Sequence, residues 1–158
     1  MFSPEDVKYM TLALELAEEA AANGEVPIGA VVALNGERIA AAKNRMEELH
    51  SATAHAEILV INEAGQTLKN WRLDGATLYV SLEPCHMCWG AIKNSRIARV
   101  VFAAKDLREQ GTCDVGHEIK IESGLLEKES AEVLRKFFRN IRRIKNDSGN
   151  KGLGEPSS

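Results

Sequence analysis

The sequence predicts one α/β domain in which helices cover both faces of a single mixed β-sheet. Three observations lead to this prediction. The chain has 158 residues, which suits one domain with a sizeable core. Its first two predicted strands are joined by a tight hairpin, and hairpin strands pair antiparallel. The later predicted strands alternate with helices, a pattern typical of parallel strands linked by helical crossovers.

The first half of the chain predicts a helix, a hairpin and a second helix. Ser3-Pro4-Glu5-Asp6 combines a cap, a first-turn proline and two acids, and Asn23-Gly24 ends the helix that it starts. The stretches "VPIGAVVAL" and "ERIAAA" are predicted strands, joined by Asn35-Gly36. A polar segment, "KNRMEELHS", leads to a helix predicted from about Ala54 to Ala64, with Gly65 as its end.

The second half of the chain predicts three strands, a short helix and a long final helix. The predicted strands are "ATLYVSL", "ARVVFAA" and "HEIKIES", and "CHMCWGAIKNS" is the helix that follows the first of them. The final helix is predicted from about Leu126 to Ile144. The Gly/Ser-rich residues behind it favour disorder. We therefore expect one domain over residues 1–145 and a tail over residues 146–158.

Charge is distributed unevenly along the chain. The formal net charge of −3 gives no general sign of a nucleic-acid partner, but residues 131–145 contain six basic residues and one acid. This cluster favours an RNA surface on the final helix, where arginines could contact phosphates and an aromatic ring could pack on a nucleotide. The alternative is that the aromatic residues are core and the charges form a solvated face. The candidates for RNA contact are Phe137, Phe138, Arg139, Arg142 and Arg143.

The sequence indicates a cytoplasmic protein without a membrane partner. It contains no run of eighteen apolar residues, so no membrane span is expected. The start, "MFSPEDVKYM", lacks the basic and apolar regions of a signal peptide. Three cysteines, two of them only three positions apart, do not form a secreted disulfide framework and favour a reducing compartment.

Two short motifs contain candidate metal ligands. In "TAHAE", His55 precedes Glu57 at a predicted helix start, and in "EPCHMC", Cys85 and Cys88 place two sulfurs one helical turn apart. If the two helix starts converge, they offer one nitrogen and two sulfurs to a zinc ion and leave a fourth position for water. Glu57 could then move protons to and from that water. We also expect the helix N-terminus to lower the pKa of both thiols.

Each motif alone has a simpler explanation. A C-x-x-C pair can be a redox pair, or half of a closed structural zinc site completed by His86, Cys113 or His117. A His-x-Glu pair is usually just a helix start. Together and in this order, however, they match the "H-x-E…P-C-x-x-C" signature of zinc deaminases.

The chain resembles the cytidine-deaminase superfamily, and within it the bacterial tRNA-specific adenosine deaminases. The resemblance extends from the first helix to about residue 144 and rests on "GEVPIGAVV", "NRMEELHSATAHAEILVINEAG", "NWRLDGATLYVSLEPCHMCWGAIKNSRIARVVFAAKD" and "FFRNIRR". It implies a cytidine-deaminase-like fold, which is a three-layer α/β/α sandwich with a mixed five-stranded sheet, and a homodimer. It also implies deamination of adenosine to inosine at the wobble position of a tRNA anticodon loop.

The resemblance further implies roles for individual residues. Glu57 would shuttle protons. Asn44 matches the asparagine that hydrogen-bonds the flipped base, and Ala56 offers a backbone contact to that base. Without the resemblance, Asn44 would count only as a turn residue. The residues that would hold one Zn²⁺ per subunit are His55, Cys85 and Cys88.

Two departures from the family pattern keep other functions open. Ser51-Ala52 stands where the family usually has Asp-Pro, a form that also resembles fungal cytosine deaminases. The segment 107–117 is shorter than its family counterpart, so several implied RNA contacts have no equivalent. The alternative function is therefore deamination of a free base or nucleoside such as cytosine or guanine. A non-catalytic zinc-binding or RNA-binding module is a third hypothesis, and it predicts that Glu57 is dispensable.

Overall fold

The computed structural model describes residues 1–108 and 118–152. Within these ranges each predicted strand and helix has a counterpart, and one short helix is added. The elements in chain order are α1 (Pro4–Ala22), β1 (Gly29–Leu34), β2 (Glu37–Lys43), α2 (Met46–Leu49), α3 (Ala56–Leu68), β3 (Thr77–Leu82), α4 (His86–Asn94), β4 (Arg99–Ala104), β5 (Lys120–Ser123) and α5 (Glu127–Gly152).

The five strands form one mixed sheet in the order β2-β1-β3-β4-β5. β1 pairs antiparallel with β2 through a turn at Asn35 and Gly36, which both have the positive φ that this tight hairpin requires. β1 also pairs antiparallel with β3, whereas β3 with β4 and β4 with β5 are parallel. The predicted mixed five-stranded sheet is confirmed.

Helices cover both faces of the sheet because side chains alternate along each strand. On β3, Leu78 and Val80 face one side and pack in a cluster with Val60 of α3 and Ile92 of α4. Tyr79, between them, faces the other side and packs with α1. α5 contacts α1 and the strands β3 and β4. The three-layer α/β/α arrangement is therefore confirmed.

Asp6 anchors the first helix to the sheet. The Asp6 N–H donates to Ser3 Oγ at 3.1 Å and the Ser3 N–H donates to Asp6 Oδ2 at 3.0 Å, so the predicted Ser3 cap is part of a reciprocal capping box. The same buried carboxylate accepts hydrogen bonds from the Tyr79 hydroxyl at 2.6 Å and from Arg99 at 2.8 and 3.0 Å. The Arg99 guanidinium holds the pKa of Asp6 well below its usual range. These bonds connect the start of α1 with β3 and β4.

The structure differs from the prediction before and within α3. This helix extends to Leu68, so Gly65 lies inside it rather than ending it. A glycine costs a helix about 1 kcal/mol, which burial of one helix face against the sheet offsets. The helix ends at Lys69, whose φ of 52° is left-handed. The polar segment before α3 contains the short helix α2, which the local sequence pattern did not predict.

The final helix is longer than predicted. α5 continues to Gly152, so the structure differs from the predicted tail over residues 146–152, which are helical. No proline interrupts this stretch, and the exposed side chains of Lys145, Asn146 and Asp147 suit a solvated helix. Residues 153–158 of the predicted tail lie outside the described residues. Among the helices described here, none combines the length and the apolar character needed to cross a bilayer.

Gly29, at the start of β1, lies where α1 comes very close to the sheet. A Cβ added to Gly29 would be 1.9 Å from the carbonyl oxygen of Ala13. Because that backbone oxygen cannot move without displacing α1, we expect Gly29→Ala to lower the free energy of unfolding by about 1–3 kcal/mol. Gly90→Ala in α4 is the matched control, since a Cβ there meets nothing within 4 Å. Thermal unfolding measures both, and an unchanged Tm for Gly29→Ala would contradict this packing.

Candidate active site

Two helices on one face of the sheet bring the two sequence motifs together. His55 immediately precedes the first turn of α3, and Cys85 immediately precedes the first turn of α4. Cys88 lies one turn later on α4. Because α3 and α4 pack against each other, the imidazole and both sulfurs meet at their N-terminal ends. The structure thus places together the three ligands that the sequence singled out.

The spacing of these ligand atoms fits a tetrahedral zinc ion. His55 Nδ1 lies 3.6 Å from Cys85 Sγ and 3.5 Å from Cys88 Sγ. All three ligand atoms lie within 4.8 Å of one another. Zinc bonds of about 2.0 Å to nitrogen and about 2.3 Å to sulfur, at a tetrahedral angle, would separate nitrogen from sulfur by about 3.5 Å. The donor set and its spacing therefore fit this metal.

Glu57 is buried beside the ligand group. It lies in the first turn of α3 and is 2% exposed. Its Oε1 atom has no hydrogen-bond partner among the residues that the structure describes. A buried carboxylate oxygen without a partner is costly unless something else completes its environment. A cation or a substrate at the ligand group would do so.

Burial governs the protonation of the ligands. It lowers the pKa of His55, which favours the neutral imidazole that binds metals. It raises the pKa of the Cys88 thiol, and the nearby charges of Glu57 and Cys85 raise it further. The expected lowering of this pKa by the helix start is thus opposed, in the absence of a cation, by desolvation of the buried thiol. Metal binding must displace the thiol proton.

Burial also raises the pKa of Glu57, from 4.5 to about 7, when no cation is near. The metal-free folded chain then binds an extra proton between these pH values. We expect its free energy of unfolding to fall by up to about 3 kcal/mol as the pH rises through that window. Glu57→Gln removes the titrating group, so the free energy of unfolding of this variant should depend less on pH. Denaturant unfolding of chelator-treated protein at several pH values tests this, and equal pH slopes for the two proteins would refute it.

The ligand group has three members within the ranges 1–108 and 118–152. His86, one candidate for a fourth ligand, is not among them, and its side chain is exposed. The other two candidates, Cys113 and His117, lie outside the described residues. Three protein ligands with one position left for water are typical of catalytic rather than structural zinc sites.

Asn44 and Ala56, the residues implied in base binding, contact each other. Asn44 is 3% exposed, and its Oδ1 atom accepts a hydrogen bond from the Ala56 N–H at 2.7 Å. The Ala56 N–H is therefore engaged within the chain. The same bond orients the Asn44 amide so that its NH₂ group is left to donate to another partner. The contact of either residue with a base stays a prediction.

Glu25 also belongs to this region, and sequence reasoning missed it. The residue is 3% exposed and lies between the end of α1 and the start of β1. Its carboxylate accepts hydrogen bonds from the N–H groups of Glu47 and Glu48 in α2. The only signal in the sequence is an acid directly before the apolar run "VPIGAVVAL", where a buried charge requires partners.

The candidates for RNA contact on α5 separate into buried and exposed residues. Phe137 is 7% exposed and Phe138 is half-buried, and their rings meet edge to face with centroids 5.4 Å apart. Its burial makes Phe137 a core residue, as the alternative interpretation predicted, and its ring also borders a groove between α1 and α5. The exposed candidates are Arg139, Arg142 and Arg143.

The chain is similar to known deaminases over most of its length. The profile of the MafB19-like deaminase family matches residues 4–142. The tRNA-specific adenosine deaminase of Bacillus subtilis is 45% identical over 162 residues, which cover 96% of this chain and 99% of that protein. A structure from a study of A-to-I editing by tRNA deaminases at the wobble position of transfer RNA has a TM-score of 0.76 and 46% identity. That match covers 80% of this chain and 99% of the other.

A guanine deaminase from Nitrosomonas europaea shares the fold, with a TM-score of 0.74 and 28% identity over 87% of this chain and 85% of that one. Its identity is well below that of the adenosine deaminases. The layered fold, the ligand group and the extent of these matches all indicate the same family. The chain belongs to the family of tRNA-specific adenosine deaminases, enzymes that hydrolyse a C–N bond.

Proposed function

We propose that this protein converts adenosine to inosine at the wobble position of a tRNA anticodon loop, with one zinc ion per subunit. The observation that carries the proposal is the buried Glu57 carboxyl beside the ligand group of His55, Cys85 and Cys88, whose Oε1 atom has no hydrogen-bond partner among the described residues. The 45% identity to the Bacillus subtilis tRNA-specific adenosine deaminase, over 96% of this chain, supports the choice of substrate.

Zinc is proposed because one imidazole and two thiols at tetrahedral spacing are ligands that this metal prefers. When bound, zinc lowers the pKa of water and so supplies a nucleophile at neutral pH. His55 would bind through Nδ1, and the two cysteines through their sulfurs. Because Cys88 must lose a proton to bind, zinc affinity should fall as the pH falls.

Glu57 moves the protons of the reaction. Its carboxylate takes a proton from the water that attacks C6 of adenine. The same carboxyl group then delivers a proton to the ring nitrogen. It then helps the amino group leave as ammonia, so that adenosine and water give inosine and ammonia. Burial suits Glu57 to this role, because within the described chain no hydrogen bond competes for Oε1.

Asn44 orients the base. Its Oδ1 atom is already bonded to the Ala56 N–H at 2.7 Å, so the amide presents its NH₂ group as a donor. Adenine offers ring-nitrogen acceptors to such a donor. This fixed amide supports the proposed contact between Asn44 and the flipped adenine.

The position of α5 supports an RNA contact near the site. The groove between α1 and α5 is lined by the C-terminal end of α1, by Gly24 just beyond it, and by one face of α5 between residues 133 and 144. Gly24 precedes Glu25, whose carboxylate binds α2 next to Asn44. Lys136, one of the basic residues of α5, lines this groove at the end of α1 that leads to Glu25 and α2.

Replacing Arg139, Arg142 and Arg143 together with Gln should weaken RNA binding in a salt-dependent way. If each arginine contacts one phosphate, the plot of log affinity against log salt concentration should become less steep in the triple variant, by roughly 2 in slope. Binding of an anticodon stem-loop, titrated at several salt concentrations, measures this. A Lys8→Gln and Arg38→Gln protein is the control, because both residues are exposed beside the Gly36 turn. An unchanged salt slope in the triple variant would show that α5 is not an RNA surface.

Deamination of a free base is the second candidate, favoured by the structural similarity to guanine deaminase. Zinc-loaded protein should be offered an arginine tRNA anticodon stem-loop with adenosine at the wobble position. Guanine, cytosine, adenine and their nucleosides are offered in parallel. Inosine formation in the RNA supports the proposal. Ammonia release from a free base or nucleoside, without inosine in the RNA, would replace it with the second candidate.

A homodimer and a cytoplasmic location complete the proposal. Both follow from the family, whose substrate is tRNA, and both stay predictions. Light scattering of the purified chain measures its mass in solution, which should be twice the 17.3 kDa of one chain.

A further inference from the structure

A buried carboxylate outside the ligand group, that of Glu25, holds the segment that connects β2 with α3. Its Oε1 atom accepts a hydrogen bond from the Glu47 N–H at 2.9 Å, and its Oε2 atom accepts one from the Glu48 N–H at 3.0 Å. Arg45, the N-cap residue of α2, makes no side-chain hydrogen bond that caps the helix, and its guanidinium pairs instead with the Glu48 carboxylate at 2.8 Å. Glu25 therefore supplies, from the end of α1, the cap that α2 itself lacks.

The connecting segment is closed at both ends by further hydrogen bonds. At its start, the Asn44 N–H donates to the Ile28 carbonyl at 3.1 Å. At its end, the Arg45 N–H donates to the Ala54 carbonyl at 3.0 Å, and the Ala56 N–H donates to Asn44 Oδ1 at 2.7 Å. Residues 44–56 thus form a loop whose two ends, Asn44 and Ala56, are hydrogen-bonded to each other. Glu25 binds this loop directly beyond Asn44 and Arg45.

We propose that Glu25 is a positioning residue for the base pocket, which acts by holding α2 and thereby the backbone and amide of Asn44. The inference rests on the proposed function, in which Asn44 contacts the base. Without the Glu25 cap, two backbone N–H groups lose their acceptors and the α2 turn relaxes. The Asn44 amide then no longer meets the substrate in one fixed orientation. The effect should fall on substrate binding rather than on the chemical step.

The first test is Glu25→Gln, which keeps the size of the side chain but offers a single acceptor oxygen. We expect the KM for the RNA stem-loop to rise about tenfold, the change that one lost hydrogen bond produces, with kcat within about twofold of the parent. Zinc content should stay unchanged. Glu19→Gln is the matched control, because Glu19 is an exposed acid on α1 that pairs with Lys43 at 3.2 Å. It should leave both constants unchanged.

A double-mutant cycle with Asn44→Ala separates positioning from general destabilisation. If Glu25 acts through Asn44, Glu25→Gln should raise KM no further in the Asn44→Ala background. Additive effects, or an unchanged KM in Glu25→Gln alone, would overturn the proposal. If Asn44→Ala alone leaves KM unchanged, the base-binding role in the proposed function fails instead. Should Glu25→Gln not fold, Glu25→Asp keeps the charge with a shorter reach, and the same cycle applies to it.

Discussion

Glu57→Gln is expected to lower kcat for RNA deamination by about 10³-fold or more, because an amide can neither accept nor release the proton that the reaction moves. Glutamine has nearly the volume of glutamate, so the core around α3 should stay packed. Zinc content should remain at one ion per chain, because the metal ligands are unchanged. Single-turnover kinetics with the stem-loop measures the first expectation, and elemental analysis of the purified protein measures the second.

Glu63→Gln is the matched control for this variant. Glu63 lies on the same helix as Glu57 but is exposed, so its replacement should leave kcat and zinc content unchanged. Retained turnover in Glu57→Gln would disprove the proton-transfer role. It would also revive the hypothesis of a module that binds zinc or RNA without catalysis, since that hypothesis needs no carboxylate at this position.

Cys88→Ser is expected to release the metal. Cys88 is fully buried, and its sulfur lies 3.5 Å from His55 Nδ1, so a shorter and harder hydroxyl cannot replace it in a soft ligand set. Zinc affinity should fall by at least about a hundredfold, the upper range for losing only an outer-shell partner. Competition with a chromophoric chelator measures the affinity, and unfolding with and without zinc measures the lost stabilisation. Undiminished affinity would remove Cys88 from the ligand set.

Cys113→Ser and His117→Ala provide the comparison that distinguishes an open from a closed metal site. Both residues lie outside the described ranges, and both were candidates for a fourth ligand. An open catalytic site predicts that each variant keeps its zinc and its affinity. Loss of zinc from either variant would indicate a closed structural site, which leaves no position for water.

The main elements of the fold were predictable because their signals are local. The box at Ser3 and Asp6 starts α1, and the Asn35-Gly36 pair forces the turn between β1 and β2. Such features depend on neighbours within a few positions. By contrast, α2 was missed because its cap is Glu25, a residue distant in the sequence. The end of α3 was misplaced because packing against the sheet carries the helix past Gly65.

The group of candidate metal ligands, His55, Cys85 and Cys88, was predictable for a chemical reason. Zinc needs nitrogen and sulfur donors, and the spacing of Cys85 and Cys88 on one helix places two sulfurs together without any knowledge of the fold. His55 and Glu57 complete a signature that is rare by chance. The sequence alone therefore predicted which residues come together at the ends of α3 and α4.

The environments of Cys88, Glu57 and Asn44 were decided by the tertiary structure alone. Burial raises the pKa of Cys88 against the expected effect of its helix, and burial leaves Glu57 Oε1 without a partner in the described chain. The amide of Asn44 gains its orientation only when α3 folds against the end of β2. Donor type and short spacing are properties of the sequence, so the sequence determined the candidate ligands and the deaminase family. Desolvation and long-range hydrogen bonds exist only in the folded chain, so the tertiary structure decided the protonation of Cys88 and Glu57 and the orientation of the Asn44 amide.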